Sequence, residues 1–299
     1  MKTYIGVDLG GTNVRVAKIT QDGTLLEEIK GPSYALEGPE KIMNNLMDLV
    51  GQISNLKECN GIGIGVPGPV DTIKGEMVMA TNLPGLENFP IVKVMEEKFG
   101  LPTFVDNDAN VAGLAEAVLG AGKGLPIVYY ITHSTGIGGA LIVDGRVVSG
   151  MNGHAGEIAN IIIDPNGKKY NHLNVGAVEN EASGTALVRM AKEKIDANID
   201  NAGEVFHLAK EGNAVAVEIV DQMAHDFAMM MSAVAHVVDP FCFVIGGGVT
   251  KSADVYLDKV KENFYSMIHT GMKPTQIKLA ELDEPGILGA AMLPGSFGK

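Results

Sequence analysis

Apolar and polar positions alternate with two different periods along the chain, and the switching between them predicts an α/β protein. Residues 3–9 (TYIGVDL) and 13–19 (NVRVAKI) are short strand-like runs flanking Gly10-Gly11, and Asp22-Gly23 precedes a third run, TLLEEIKG. Runs of this length separated by turn residues predict a three-stranded meander at the start of the chain. In GPEKIMNNLMDLVGQIS the apolar residues recur at spacings of three and four, which predicts an amphipathic helix. GIGIGVPGPVD then predicts a buried strand ending in a Gly-Pro loop. VKVMEEKFG follows as a helix with a glycine stop, PTFVDND as a strand and ANVAGLAEAVLGAG as a helix.

The alternation restarts after Gly124. PIVYYITHS, GIGGALIVDG and RVVSG predict a second meander, turning at Asp144-Gly145, and residues 151–183 read as an irregular polar stretch. Helices are expected in TALVRMAKEKI, in AVAVEIVDQMAHDFAMMMSAVAHVV and, after a strand in FCFVIGG, in VYLDKVKENFYSMIH. Two meanders, each ahead of strand and helix units, point to a duplicated α/β architecture. The boundary is expected near Gly120 to Gly124, with a ligand cleft between the halves.

A chain of 299 residues suits about two domains, and the 46% hydrophobic share supports a true core. The formal net charge of −13 argues against a nucleic-acid or membrane-surface partner, because anionic phosphates require a basic face. Cys59 and Cys242 cannot build a disulfide framework, which suggests a reducing compartment. The start, MKTYIGVDLGG, lacks the pattern of a signal peptide, and the apolar stretch 227–238 is too short to span a bilayer. The expectation is a cytoplasmic protein.

Three glycine turns suggest nucleotide chemistry. Glycines at positions 10 and 11 let backbone N–H groups approach an anion, and Thr12 and Asn13 add side-chain donors. Asp8 cannot bind a phosphate directly but can face the Mg²⁺ that accompanies one. The plainer reading of this turn is a tight hairpin needing positive φ. STGIGGALIVDG repeats the composition with Thr135, Gly136 and Gly138. In FCFVIGGGVT the apolar strand ends in Gly246, Gly247 and Gly248, leaving room for a flat adenosine. No P-loop is present. GIGVPG (63–68) matches a dinucleotide fingerprint only formally, since Pro67 interrupts it and no helix follows. VDNDAN (105–110) sits between a strand and a helix, where Asp106 or Asn107 suffices as a helix cap and another carboxylate is spare.

Taken in order, VDLGGTN, GIGVPGPVD, VDNDANVAGLAE, THSTGIGGALIVDG, GHAGEIAN, ENEASG and VIGGG resemble the ROK family of hexose kinases and related repressors. The resemblance spans nearly the whole chain. It implies the two-domain fold shared by sugar kinases, heat-shock proteins and actin, with ATP and Mg²⁺ as cofactors and a hexose as substrate. It implies that Asp108 is the catalytic base and Asn107 a ligand of a sugar hydroxyl. By the same resemblance Glu157 and Glu179 grip the hexose ring, and Gly68 and Asn82 form the opposite side of the pocket. The family's C-terminal segment returns to the first domain. The expected domains are therefore 1–120 with helix 287–299, and 121–286. Homodimers are usual in the family. The repressors carry an N-terminal DNA-binding domain; with a phosphate hairpin beginning at Asp8, none is expected here.

One departure stands out. Many ROK proteins carry Glu-x-x-His and then a C-x-C-G-x-x-G-C-x-E zinc motif. Aligned on Glu179, the histidine position falls on Asn160 and the cysteine positions on Tyr170, His172 and Ala177. Tyr and Ala are not plausible zinc ligands. The expectation is a zinc-free pocket wall held by packing and hydrogen bonds, with no structural metal. Asn160 also alters the pocket near the C1–C2 edge of the sugar. Glucose, phosphorylated at its 6-hydroxyl, is the first expected substrate. N-acetylmannosamine and a catalytically silent sugar sensor are the alternatives.

Overall fold

In this computed structural model, which describes residues 1–297, the first apolar runs form the hairpin their spacing predicts. β1 (Thr3–Leu9) and β2 (Asn13–Thr20) pair antiparallel from Thr3↔Thr20 to Leu9↔Val14. β3 (Leu25–Pro32), α1 (Pro39–Gly51) and β4 (Ile62–Val66) follow, then the short strands β5 (Val70–Asp71) and β6 (Glu76–Met77). α2 (Ile91–Phe99), β7 (Thr103–Asn107) and α3 (Asp108–Val118) complete the first alternation.

The second alternation holds β8 (Ile127–His133), β9 (Ile137–Val143) and β10 (Arg146–Val147). Five helices or strands beyond it are expected from the sequence, and three more are not. α4 (Val178–Ala182), α5 (Gly184–Lys194), α6 (Ala202–Lys210) and α7 (Ala214–Val238) precede β11 (Cys242–Gly246). α8 (Ala253–Met267), β12 (Gln276–Leu279) and α9 (Pro285–Phe297) end the chain. α6 and the four-residue β12 escaped the sequence pattern, as did α4 within the polar stretch. Positions 298 and 299 of the expected C-terminal helix lie outside the described residues. Among those described, no helix is long and apolar enough to cross a membrane.

By contact the chain divides into two units. Residues 1–126, 140–156 and the stretch from 281 onward make the first, and 127–139 with 157–280 the second. In the first unit the sheet order is β3-β2-β1-β4-β7, with β1, β4 and β7 mutually parallel. One face of this sheet buries Ile5, Val7, Ile62, Ile64 and Val105 against Ile42 and Leu46 of α1 and Met95 of α2. Full burial of each such side chain stabilises by about 1.5–3 kcal/mol. The other face carries α9, which approaches so closely that a Cβ at Gly63 would overlap the Ala290 carbonyl. α3 is anchored by Glu116, whose side chain is fully buried. Its Oε1 accepts from the backbone N–H groups of Glu281 (3.0 Å) and Leu282 (2.9 Å), and its Oε2 from Ala121 (3.0 Å). Those segments are where the chain leaves and re-enters this unit.

In the second unit β11 runs parallel to both β8 and β12, within a sheet of order β10-β9-β8-β11-β12; the unit boundary falls inside β9. α7 is its longest helix, capped by Asn213, whose Oδ1 accepts from Val215 N (3.1 Å) and Ala216 N (3.0 Å).

Candidate active site

The parallel register of the first unit decides where its functional groups stand. Asp8 on β1, Gly65 on β4 and Asp106 on β7 are aligned in one row near the carboxyl ends of the three strands. The loops that leave these ends carry Gly10 to Asn13, Gly68 and Asn107-Asp108. Carboxyl ends of parallel strands are where open α/β sheets gather their ligand groups.

The first turn is closed by a hydrogen bond from Gly10 N to Asn13 O (2.9 Å). Neither Gly10 nor Gly11 has a positive φ, so the plain hairpin reading does not account for them. At Gly11 a Cβ would come to 3.0 Å from the Asn82 carbonyl, which brings the expected phosphate turn and the expected sugar ligand Asn82 together. Gly11, Thr12, Asn13 and Asn82 are all exposed. Gly68 has φ 107°, the left-handed side of backbone space that favours glycine.

Asn107, not Asp106, caps α3: its Oδ1 accepts from Asn110 N at 2.7 Å. That leaves its Nδ2 as the group it can offer a ligand. Asp106 is buried and its Oδ1 accepts from Asn107 N (2.8 Å) and Asn110 Nδ2 (2.7 Å). Its Oδ2 has no partner, and burial pushes its carboxyl up to about 6. Asp108, one residue into the helix, is exposed at its outer surface, and Ala109 N donates to its Oδ1 at 2.8 Å. Partial desolvation, and then the negative charge of Asp8, hold the Asp108 carboxyl above the ordinary carboxylate range. Asp8 is raised as well, by burial first; the Arg15 guanidinium opposes this and Glu284 adds to it. Arg15 itself is gripped by Glu28 (2.7 Å) and Glu284. The first unit thus brings together two electrostatically coupled carboxylates beside a glycine turn.

In the second unit the turn after β8 is closed by Ser134 N donating to Gly136 O (2.9 Å). Ser134 O and Thr135 O accept from Gly184 N (2.8 Å) and Thr185 N (3.1 Å) at the start of α5. Gly138 falls beyond this turn, inside β9. Glu179 lies directly against the turn, its Oε2 accepting from Ile137 N at 2.8 Å. Glu157 is exposed, and its charge acts on the buried Tyr129, whose hydroxyl is pushed up by burial first and by Glu157 second. Asn160 is exposed too, and its Oδ1 accepts from Asn174 N at 2.7 Å.

A cavity of about 530 Å³ opens in this unit, lined among others by Thr135, Thr185, Asn201, Phe206, Gly248 and Lys251. Of the three consecutive glycines only Gly248 lines it. A Cβ at Gly246 would meet the Tyr130 hydroxyl at 2.5 Å, and Gly247, with φ 92°, packs on the backbone of His133. His133 is fully buried beneath, bonded through Nε2 to Ala182 O (2.8 Å) and stacked on Phe227, and burial lowers its pKa to about 4. Sequence reasoning missed Asn201 and Phe206. The signal was present in the Asn201-x-x-Glu204 spacing of a helix cap, since Asn201 Oδ1 accepts from Glu204 N at 3.2 Å.

Comparison with known proteins places these groups in context. The profile of the ROK family matches residues 4–295. A glucokinase of Halalkalibacterium halodurans is 32% identical over 312 residues, covering 97% of this chain and 94% of that protein. An N-acetylmannosamine kinase of Salmonella typhi is also 32% identical, covering 97% of this chain and 98% of that protein. The crystal structure of a ROK family glucokinase from Streptomyces griseus, in complex with glucose and AMPPNP, is 30% identical. It superposes with a TM-score of 0.75 over 97% of this chain and 98% of that one.

Proposed function

We propose that this chain, which belongs to the ROK family, transfers the γ-phosphoryl group of ATP to a hexose, with glucose at its 6-hydroxyl as the first substrate. The observation that carries the reading is the pairing of Asp8, near the end of β1, with Asp108, just beyond β7: only β4 separates those strands, and the two carboxylates are close enough for one to raise the other. A phosphoryl-transfer enzyme needs one carboxylate for the nucleophile and hard oxygen ligands for the nucleotide's metal.

Asp108 accepts the proton of the sugar hydroxyl as that oxygen attacks the γ-phosphorus. The bond from the γ-phosphorus to the bridging β-phosphate oxygen breaks, ADP leaves, and Asp108 returns its proton to water. A carboxyl held above its ordinary range is the stronger base for this step. Asp8 offers the oxygen donors that suit Mg²⁺, which, bound with ATP, supplies neutralisation of the transferring phosphoryl charge. The amides of Gly10 and Gly11, with Thr12 and Asn13, bind phosphate oxygens, and Thr135, Gly136 and Gly138 belong to the second phosphate turn in this reading. The cavity beside Gly248 takes the nucleoside, its base against Phe206. Gly68, Asn82, Asn107, Glu157, Asn160 and Glu179 bind the sugar. An occupied AMPPNP site in a relative 30% identical supports the use of ATP.

N-acetylmannosamine is the second reading. A relative named for that activity is 32% identical, as the glucokinase is, and by the family resemblance the neutral amide of Asn160 stands where a histidine would touch the sugar. ³¹P NMR of products from Mg-ATP with each sugar separates the two. Glucose 6-phosphate from glucose is the expected signal. An ester formed only from N-acetylmannosamine transfers the assignment to that sugar, and a phosphate on the anomeric hydroxyl contradicts both.

A further inference from the structure

The zinc ligands that the family resemblance implies do not fit the residues present. Asn160 Oδ1 already accepts from Asn174 N, Ala177 has no donor atom, and the Tyr170 ring lies under the Arg189 guanidinium, 3.8 Å from its centre. A divalent cation beside Tyr170 would meet that fixed positive charge. His172 alone remains, too few donors for a tetrahedral site.

A series of side-chain hydrogen bonds holds the segment instead. Asn174 Nδ2 donates to Asn160 O (3.3 Å), in addition to the amide bond to Asn160 Oδ1. Asn174 O accepts from Asn180 Nδ2 (3.3 Å), and Asn180 O accepts from Arg189 Nη2 (2.6 Å). Tyr170 closes the series under Arg189. Five side chains from the polar loop, α4 and α5 therefore form one continuous tie. Backbone bonds run alongside it, from Val178 N to Ile161 O (2.8 Å) and from Glu179 N to Ala159 O (3.1 Å).

We propose that Arg189, seated on Tyr170, takes the place of a metal as the tie of the 157–177 loop and so positions Asn160 for substrate. Because an N–H group occupies Asn160 Oδ1, the amide orientation is fixed and Asn160 presents Nδ2 outward as a donor only. The group it recognises is an acceptor: a sugar hydroxyl oxygen or an acetamido carbonyl. Arg189 and Tyr170 are positioning residues, acting through Asn180 and Asn174. The inference rests on the sugar-kinase reading for the identity of the ligand, but not for the tie itself.

Hydrogen exchange of the full chain without sugar tests the tie, and steady-state kinetics tests its consequence. In Arg189→Ala and Tyr170→Ala the Asn174 amide should exchange about tenfold faster, as loss of a charge-assisted bond and a cation–π contact implies. Tyr170→Phe, which keeps the ring, should exchange like wild type. The sugar KM should rise about tenfold in both alanine variants, with kcat and the ATP KM within about threefold. Added Zn²⁺ or a zinc chelator should leave the wild-type exchange pattern unchanged. Unchanged exchange in both alanine variants, or loop protection that appears with Zn²⁺, overturns the tie. Faster exchange in a protein that phosphorylates no sugar retains the tie and retires the kinase reading.

Discussion

The Glu179 carboxylate accepts a hydrogen bond from the Ile137 amide at 2.8 Å and fills the space that a Cβ at Gly136 would require, 2.5 Å from Glu179 Oε2. The residue assigned to the sugar and the turn assigned to phosphate are thus one rigid feature of the second unit. Gly136→Ala must displace that carboxylate. It should raise the sugar KM by about tenfold, the cost of one charge-assisted bond, while the fold survives. Paired sugar and ATP titrations of the variant check this; an unchanged sugar KM would separate Glu179 from the sugar.

Asp108→Asn should lower kcat by about 10²–10⁴-fold, the usual contribution of a positioned base, with sugar affinity retained. Stopped-assay kinetics with calorimetric sugar binding distinguishes lost chemistry from lost binding. Turnover near the wild-type rate would remove Asp108 from the mechanism.

The coupling of the two carboxylates has a signature in pH. Asp108 must be ionised to act as base, so activity rises with pH through its elevated pKa. Asp8 contributes to that elevation, so Asp8→Asn should shift the acid limb of kcat/KM to lower pH, even as Mg²⁺-ATP use weakens. A limb that stays in place would mean that another group titrates there.

Asp106 predicts a pH dependence of stability. Its carboxyl is raised to about 6 by burial, so the folded chain binds its proton more tightly than the unfolded chain does. The stabilisation from that proton is full below the ordinary aspartate range and is lost as pH rises through about 6. Asp106→Asn should therefore gain stability relative to wild type above that pH, by up to about 3 kcal/mol for a shift of this size. Denaturant midpoints at acid and neutral pH test the sign. Equal differences at both would show that Asp106 titrates normally.

Glu116 differs from Asp106 in its hydrogen bonding: it is buried with both oxygens used. Removing it in Glu116→Ala strands the amides of Ala121, Glu281 and Leu282, and should cost at least about 3 kcal/mol. Thermal unfolding reads this directly; a loss well under that figure would mean that water replaces the carboxylate.

Sequence period carried most of the fold because each half begins with a meander whose strands are neighbours in the chain. The Gly10–Asn13 turn and VDNDAN were legible for the same reason: their chemistry is local. Contacts made by distant segments were not. β12 is four residues long and exists because β11 accepts it as a parallel neighbour. Asn107 and Asp106 were equivalent as candidate caps; the fold buries both, gives the capping bond to Asn107 and turns Asp106 Oδ1 to Asn107 N and Asn110 Nδ2. Tyr170, Asn174, Asn180 and Arg189 are separated by four to nine positions and share no motif; only the folded loop strings them together. Of the triple glycine, two members pack closely on β8 and one lines the cavity, a division of tasks that composition alone does not show.

The central claim is most directly tested by measuring ADP release from Mg-ATP across glucose, mannose, fructose, allose, N-acetylglucosamine, N-acetylmannosamine and a disaccharide. The expected result is release that depends on a hexose, fastest with glucose and indifferent to a zinc-selective chelator. Nucleotide binding with no sugar-dependent release from any of them would contradict it, and would make the protein a sensor built on a kinase frame.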